Sequence, residues 1–215
     1  MTWKSYLYPQ VIARYSSKYN RDIRVVETFG KLKLLVNGSP QSGPYIASLW
    51  KSVFRFIPQS AGTISSILVL GIGGGTAIRL LRQQYPHSRI TGVDIDRMMI
   101  EIGKKYFDLD GIPPLSLITT DADVFVTNIL KRGNHFDLVV VDVFIGPVIP
   151  DFVQSTGFLI RLKKVTSPEG IIVINYLREK EYREKSNILL DKLREIFHSV
   201  IESNIFLNRF FICTN

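Results

Sequence analysis

A glycine-rich turn and three spaced aspartates carry the chemistry open to this sequence. The turn is Leu70-Gly71-Ile72-Gly73-Gly74-Gly75-Thr76. Gly71, Gly73 and Gly75 would let the chain bend sharply from strand to helix and let a ligand lie against bare peptide groups, with the next helix offering free N–H donors. Such turns also serve nicotinamide and flavin cofactors. Here the third glycine of the dinucleotide pattern would fall at Thr76, which leaves G-x-G-x-G and favours an adenosyl-sulfonium ligand. Asp94, in Gly92-Val93-Asp94-Ile95-Asp96, follows Gly75 by 19 residues, close to the interval of an acid that accepts from ribose hydroxyls. Asp96 is predicted to cap a helix beginning at Arg97. In Thr120-Asp121-Ala122-Asp123, a carboxylate would accept from an adenine amino group while the Ala122 N–H meets a ring nitrogen. Helix capping by Asp121 or Asp123 is the competing role, and both can hold together. Asp142 ends the apolar run from Asp137, where it would orient an acceptor or take its proton.

These residues need strand tips to converge, and the sequence supplies them. Strand-like runs at 67–70, 89–93, 115–119, 138–141 and 171–175 alternate with amphipathic stretches at 76–84, 98–107, 122–131 and 158–165. That alternation predicts a Rossmann-like, doubly wound, mostly parallel α/β sheet covered on both faces. Its ligands bind beyond the carboxyl ends of the strands, where strand order reverses. A final helix is predicted over 179–197, followed by an antiparallel edge pair at 200–206 and 210–214. Before the sheet, 23–29 and 32–36 form a hairpin closed by the turn Asn37-Gly38-Ser39-Pro40, and a helix spans 45–56. Pro58 and the small residues after it divide the chain into an appendage, 1–60, and a main domain, 61–215.

The 215 residues, 46% hydrophobic and 21% charged, suffice for a core without staples. One cysteine excludes an internal disulfide, and no Cys/His spacing suggests a metal site. No apolar run is long enough for a membrane span, and the N-terminus lacks a signal-peptide pattern, so the expected location is cytoplasmic. Residues 1–60 hold nine Lys/Arg against two acids, which accounts for most of the net charge of +8. This basic face could meet an anionic partner, although its spaced charges fit an ordinary solvated surface better.

The chain resembles the spermidine/spermine synthase family within the class I methyltransferase superfamily. The likeness rests on 17–25 with the hairpin and Gln41, on Val93-Asp94-Ile95-Asp96, on the helix segment 100–107, and on Asp121-Ala122. It implies a small β-domain before a methyltransferase-like core, with S-adenosylmethionine or its decarboxylated form as cofactor. Gln41, Asp94 and Ile95 would lie on the nucleoside, with Asp94 on the ribose, and Asp121-Ala122 would hold the adenine. Asp142 would be the catalytic carboxylate. The resemblance also implies a homodimer. Tyr45, Asn175 and Tyr176 are further candidates for lining a small-molecule acceptor, although a packed strand-end role fits Tyr176 equally well. Three family acids are missing. Gly74 stands in place of an aspartate in the glycine turn, Ile145 replaces the second acid after the fourth strand, and 42–46 carries no carboxylate. A dicationic polyamine needs compensating anions, so methyl transfer to a neutral or anionic acceptor is the first expectation. Aminopropyl transfer is the second. A catalytically silent module using its basic face is the third, and the retained glycine turn, Asp94 and Asp121 argue against it.

Overall fold

The computed structural model describes residues 3–57, 64–179 and 181–215. The expected division at 60/61 falls within 58–63 and so lies outside the described residues.

The N-terminal part is a four-stranded antiparallel sheet of β1 (Gln10–Tyr15), β2 (Ile23–Thr28), β3 (Lys31–Val36) and β4 (Ser39–Ser42), paired in that order. The sequence shows the β2–β3 hairpin but not its two neighbours. β1 is an edge strand with no buried residue, so no inward-facing alternation marks it. β4 carries Pro40, which an edge strand tolerates because it needs no outward N–H. The predicted closing turn is therefore only Asn37-Gly38, both at positive φ, and Ser39 already pairs with Val36.

After α1 (Pro44–Phe54) come β5 (Ser66–Leu70), α2 (Thr76–Gln84), β6 (Arg89–Asp94), α3 (Arg97–Phe107), β7 (Leu115–Thr119), α4 (Ala122–Lys131) and β8 (Phe136–Val141). The chain continues through α5 (Thr156–Val165), β9 (Thr166–Leu177), α6 (Tyr182–Ile196), β10 (Ser199–Ile205) and β11 (Asn208–Thr214). The second sheet runs β10-β11-β9-β8-β5-β6-β7. β7, β6, β5, β8 and β9 are parallel, and β11 and β10 join antiparallel. The chain enters at β5, moves out to β7, and returns to β8 on the other side. Strand order thus reverses between β5 and β8, where a ligand crevice opens.

Alternation along each strand sorts the core into two faces. Leu68, Leu70, Val139, Val141, Ile172, Ile174 and Tyr176 face α4, α5 and α6. Ile67, Val69, Leu138, Val140, Ile171 and Val173 face α1 and α2. α1 therefore packs against the main sheet, although it precedes the chain's 58–63 segment. The small sheet has its own contact: Ile23, Val25, Leu34 and Val36 lie on Met99, Ile102 and Phe107 of α3. That contact suspends the small sheet over the carboxyl ends of β5 and β6. Among the described residues, no helix is long and apolar enough to cross a membrane.

Candidate active site

The strand tips are stitched together by backbone hydrogen bonds that continue past the strands. The Gly71 N–H donates to the Val93 carbonyl at 2.8 Å, Asp142 N–H to Leu70 at 2.7 Å, and Thr120 N–H to Asp94 at 3.0 Å. Gly71, Gly73 and Gly75 all have positive φ. A Cβ on Gly71 would lie 2.0 Å from the Asp142 carbonyl oxygen, and one on Gly73 would lie 2.9 Å from that of Gln41. Only glycine fits this close approach.

A first cavity opens beside this turn. Gly71, Gly73, Asp94, Ile95, Asp121, Ala122, Asp142 and Gln41 all line it. Asp94 accepts from the Ile72 N–H and the Asp96 N–H, both at 2.9 Å, so the carboxylate braces the glycine turn while facing the cavity. Burial pushes its carboxyl up to about 6, against those backbone hydrogen bonds. Asp96 caps α3, accepting from the Met98 N–H at 3.0 Å. Asp121 caps α4 through Oδ1, accepting from the Asp123 and Val124 N–H groups at 2.8 and 3.1 Å. Asp123 instead pairs with Arg161. Asn20 also lines the cavity, and its Oδ1 is buried without a partner among the described residues.

A second cavity lies on the α1 side. It is lined by apolar Ile46, Leu49, Trp50, Leu177 and Leu207, with Tyr45 at one wall and Asp142, Asn175 and Asn208 among its polar groups. The exposed Glu179 completes the lining. The two cavities share Gln41, Asp142, Phe144 and Gly146. Asp142 Oδ1 accepts from Asn175 Nδ2 at 2.8 Å, and Trp50 supplies a second side-chain hydrogen bond. Burial still dominates and raises the Asp142 carboxyl to about 6, with Asp94 adding a smaller repulsion.

Two expected site residues lie elsewhere. Gly75 lines neither cavity. A Cβ there would meet Leu109 at 2.2 Å, so its bareness admits a core leucine rather than a ligand. Tyr176 is 1% exposed and stacks edge-on to Tyr182 at 5.9 Å, on the α6 face of β9. Its neighbour Asn175 points to the opposite face, into the second cavity, because successive strand side chains alternate. Sequence reading missed Trp50, Asn20 and Asn208. Trp50 looks like a core residue at helical spacing, and Asn208 comes near Asn175 only through the β9–β11 register.

A model described as the spermine/spermidine synthase domain matches residues 56–210. The chain belongs to the spermine/spermidine synthase family. A polyamine aminopropyltransferase from Vibrio vulnificus is 31% identical over 109 residues, covering 51% of this chain and 36% of that protein. An eEF1A lysine and N-terminal methyltransferase homolog from Drosophila melanogaster is 29% identical over 160 residues, covering 69% of this chain and 23% of that protein. The chain thus spans well under half the length of either relative. A probable spermidine synthase from Corynebacterium glutamicum superposes with a TM-score of 0.77 at 20% identity, covering 95% of this chain and 80% of that one. Human methyltransferase-like protein 13, solved with SAH, gives 0.66 at 22% identity, covering 79% of each. These neighbours share the class I methyltransferase fold, and the synthase family's named relatives are transferases of two kinds.

Within that family the departures have a local structural setting. Gly74, where the resemblance puts an aspartate, donates its N–H to Ser42 Oγ at 2.7 Å, and a Cβ there would meet that oxygen at 2.8 Å. Ile145 lines the first cavity and forms a bridge with Val148.

Proposed function

We propose that this chain is an S-adenosylmethionine-dependent transferase that moves a methyl group to an amine entering the second cavity. One observation carries the reading: a cavity lined by the glycine turn and the acidic strand tips and a largely apolar cavity meet at Asp142. The first cavity's residues fit an adenosyl sulfonium. Asp94, Asp121 and the orphaned Asn20 Oδ1 are acceptors suited to ribose hydroxyls and an adenine amino group, and the Gly71 and Gly73 backbone lines the same cavity.

When bound, the sulfonium would supply an electrophilic carbon and a neutral thioether leaving group. The chain's own residues do the remaining work. Ile46, Leu49, Trp50 and Leu207 would exclude water from an aliphatic stem, and Asp142 would hold the acceptor nitrogen in line. Alignment is the main source of acceleration in such a displacement. Asp142 would take the proton shed by the acceptor nitrogen and pass it to solvent. An amine acceptor is supported by the names of both relatives, one acting on lysine and N-termini and the other on polyamines.

Aminopropyl transfer from the decarboxylated sulfonium is the second reading. Glu179 favours it, because a second carboxylate on the acceptor cavity's lining could meet the far cation of a diamine. Calorimetric titration with each sulfonium, followed by assays with putrescine, separates the two. Binding of S-adenosylmethionine without spermidine formation from the decarboxylated form supports methyl transfer. Failure to bind S-adenosylmethionine removes the first reading.

A further inference from the structure

Asp142 does not stand alone. Its Oδ1 accepts from Asn175 Nδ2 at 2.8 Å, and Asn175 Oδ1 in turn accepts from Asn208 Nδ2 at 2.8 Å. The three side chains form one directional chain across two strands. Asn175 pairs with Phe210 in the β9–β11 ladder, so Asn208, two residues before Phe210, is its diagonal neighbour on the same face. Asn175 is 7% exposed, which denies its amide much exchange with water.

We propose that Asn208 and Asn175 form an amide relay that holds Asp142 as a carboxylate facing the acceptor, with both asparagines acting as positioning residues. This deepens the function proposed above and rests on Asp142 being the acceptor-facing group. The logic is that of donors and acceptors. A carboxylate only accepts, so Asn175 must turn its NH2 towards Asp142 and its carbonyl towards Asn208, which must then donate. If Asp142 is protonated on Oδ1, its O–H can donate to Asn175 once both amides turn over; protonated on its other oxygen, it still accepts at Oδ1 and the relay keeps its direction. The relay therefore has two self-consistent directions, and the observed one is the direction that an ionised Asp142 can complete. Asn208, outside both the glycine turn and the acid motifs, completes the observed direction by donating to Asn175.

The other groups around Asp142 are accounted for. Trp50 donates from α1, and Asp94 repels from the tip of β6. Asp96 and Asp121 are the remaining acids of the first cavity, and Tyr45 and Glu179 are the titratable groups that line the second. None of these reaches Asp142 through Asn208.

The test is a carbon-13 NMR titration of the side-chain carboxyls of the full chain, with the Asp142 signal assigned by its loss in Asp142→Asn. Asn208→Asp, when ionised, makes position 208 accept-only; it draws the Asn175 NH2 away from Asp142 and so favours a protonated Asp142. The expected result is an Asp142 midpoint about one pH unit or more higher. Asn208→Leu, which removes the donor without adding charge, should raise it less. In an Asn175→Leu background, where the relay is cut, the Asn208→Asp shift should fall to less than half. An equal shift in both backgrounds would show a through-space charge effect and overturn the relay. So would an unmoved midpoint in Asn208→Leu, which also decides the matter if Asn208→Asp does not fold. The titration needs neither sulfonium nor acceptor, so failure of ligand binding would remove the proposed function and leave the relay standing.

Discussion

Gly71 lies so close to Asp142 that a Cβ on the glycine would sit 2.0 Å from the aspartate's carbonyl oxygen. The ends of β5 and β8 are pressed together at the point where strand order reverses, and the catalytic candidate is held by the same contact that shapes the cofactor turn. Gly71→Ala should therefore cost about 3 kcal/mol or more, combining left-handed strain with a backbone clash. Gly38→Ala is the control. It has a similar φ of +82° but nothing within 4 Å, so it should cost only about 1–2 kcal/mol. Urea unfolding of the two variants measures the difference, and equal losses would mean that the Gly71 contact relaxes freely.

Asp94 braces the turn through the Ile72 N–H, and under the proposed function it would also offer acceptors to a ribose. Asp94→Ala should weaken S-adenosylhomocysteine binding about 10- to 100-fold, the scale of lost hydrogen bonds to a charged group. Calorimetry reads this directly. Unchanged affinity would place the nucleoside elsewhere.

The two buried carboxyls give opposite pH trends for stability and for function. Burial raises both Asp94 and Asp142 from 3.8 to about 6. Between those values the folded chain binds more protons than the unfolded chain, so stability falls as pH rises. Their contribution is fully present below the unfolded value and is lost as pH passes through about 6. Acceptor activation needs the ionised Asp142 and should rise over the same window. Asp142→Asn should unfold at higher urea than the unaltered chain at pH 7.5, lose that advantage near pH 4, and lose transfer activity throughout. An advantage that persists at low pH would assign it to packing instead.

Arg209 should matter for stability without touching the cavities' shared residues. It is 9% exposed, and its Nη1 donates to Ser186 Oγ and Asn187 Oδ1 at 2.8 and 2.6 Å, while Nη2 meets Glu202. Glu202 is correspondingly held below the usual carboxylate range, with the Arg209 hydrogen bond as the leading cause. Arg209→Met would strand these partners and should cost about 2–3 kcal/mol. Thermal unfolding checks this, and sulfonium binding by the folded fraction should stay unchanged.

The alternation of apolar runs and amphipathic stretches determined the main sheet, because side-chain periods of 2 and 3.6 are local properties of the chain. The boundaries of β7, α2 and α4 match those periods to the residue. Local chemistry also marked Gly71, Gly73, Asp94, Asp121 and Asp142, because glycine lets the chain bend at a strand end and a polar acid closes an apolar run. What only the tertiary structure decided depends on which strands become neighbours. β1 and β4 are edge strands whose weak patterns gain meaning beside β2 and β3. Asn175 and Tyr176 are adjacent in sequence, yet the pleat sends one to the second cavity and the other into the core. Gly75 resembles its ligand-facing neighbours, but Leu109 takes its space. Asn208 reaches Asp142 through a partner 33 residues away, by a register that no local pattern encodes.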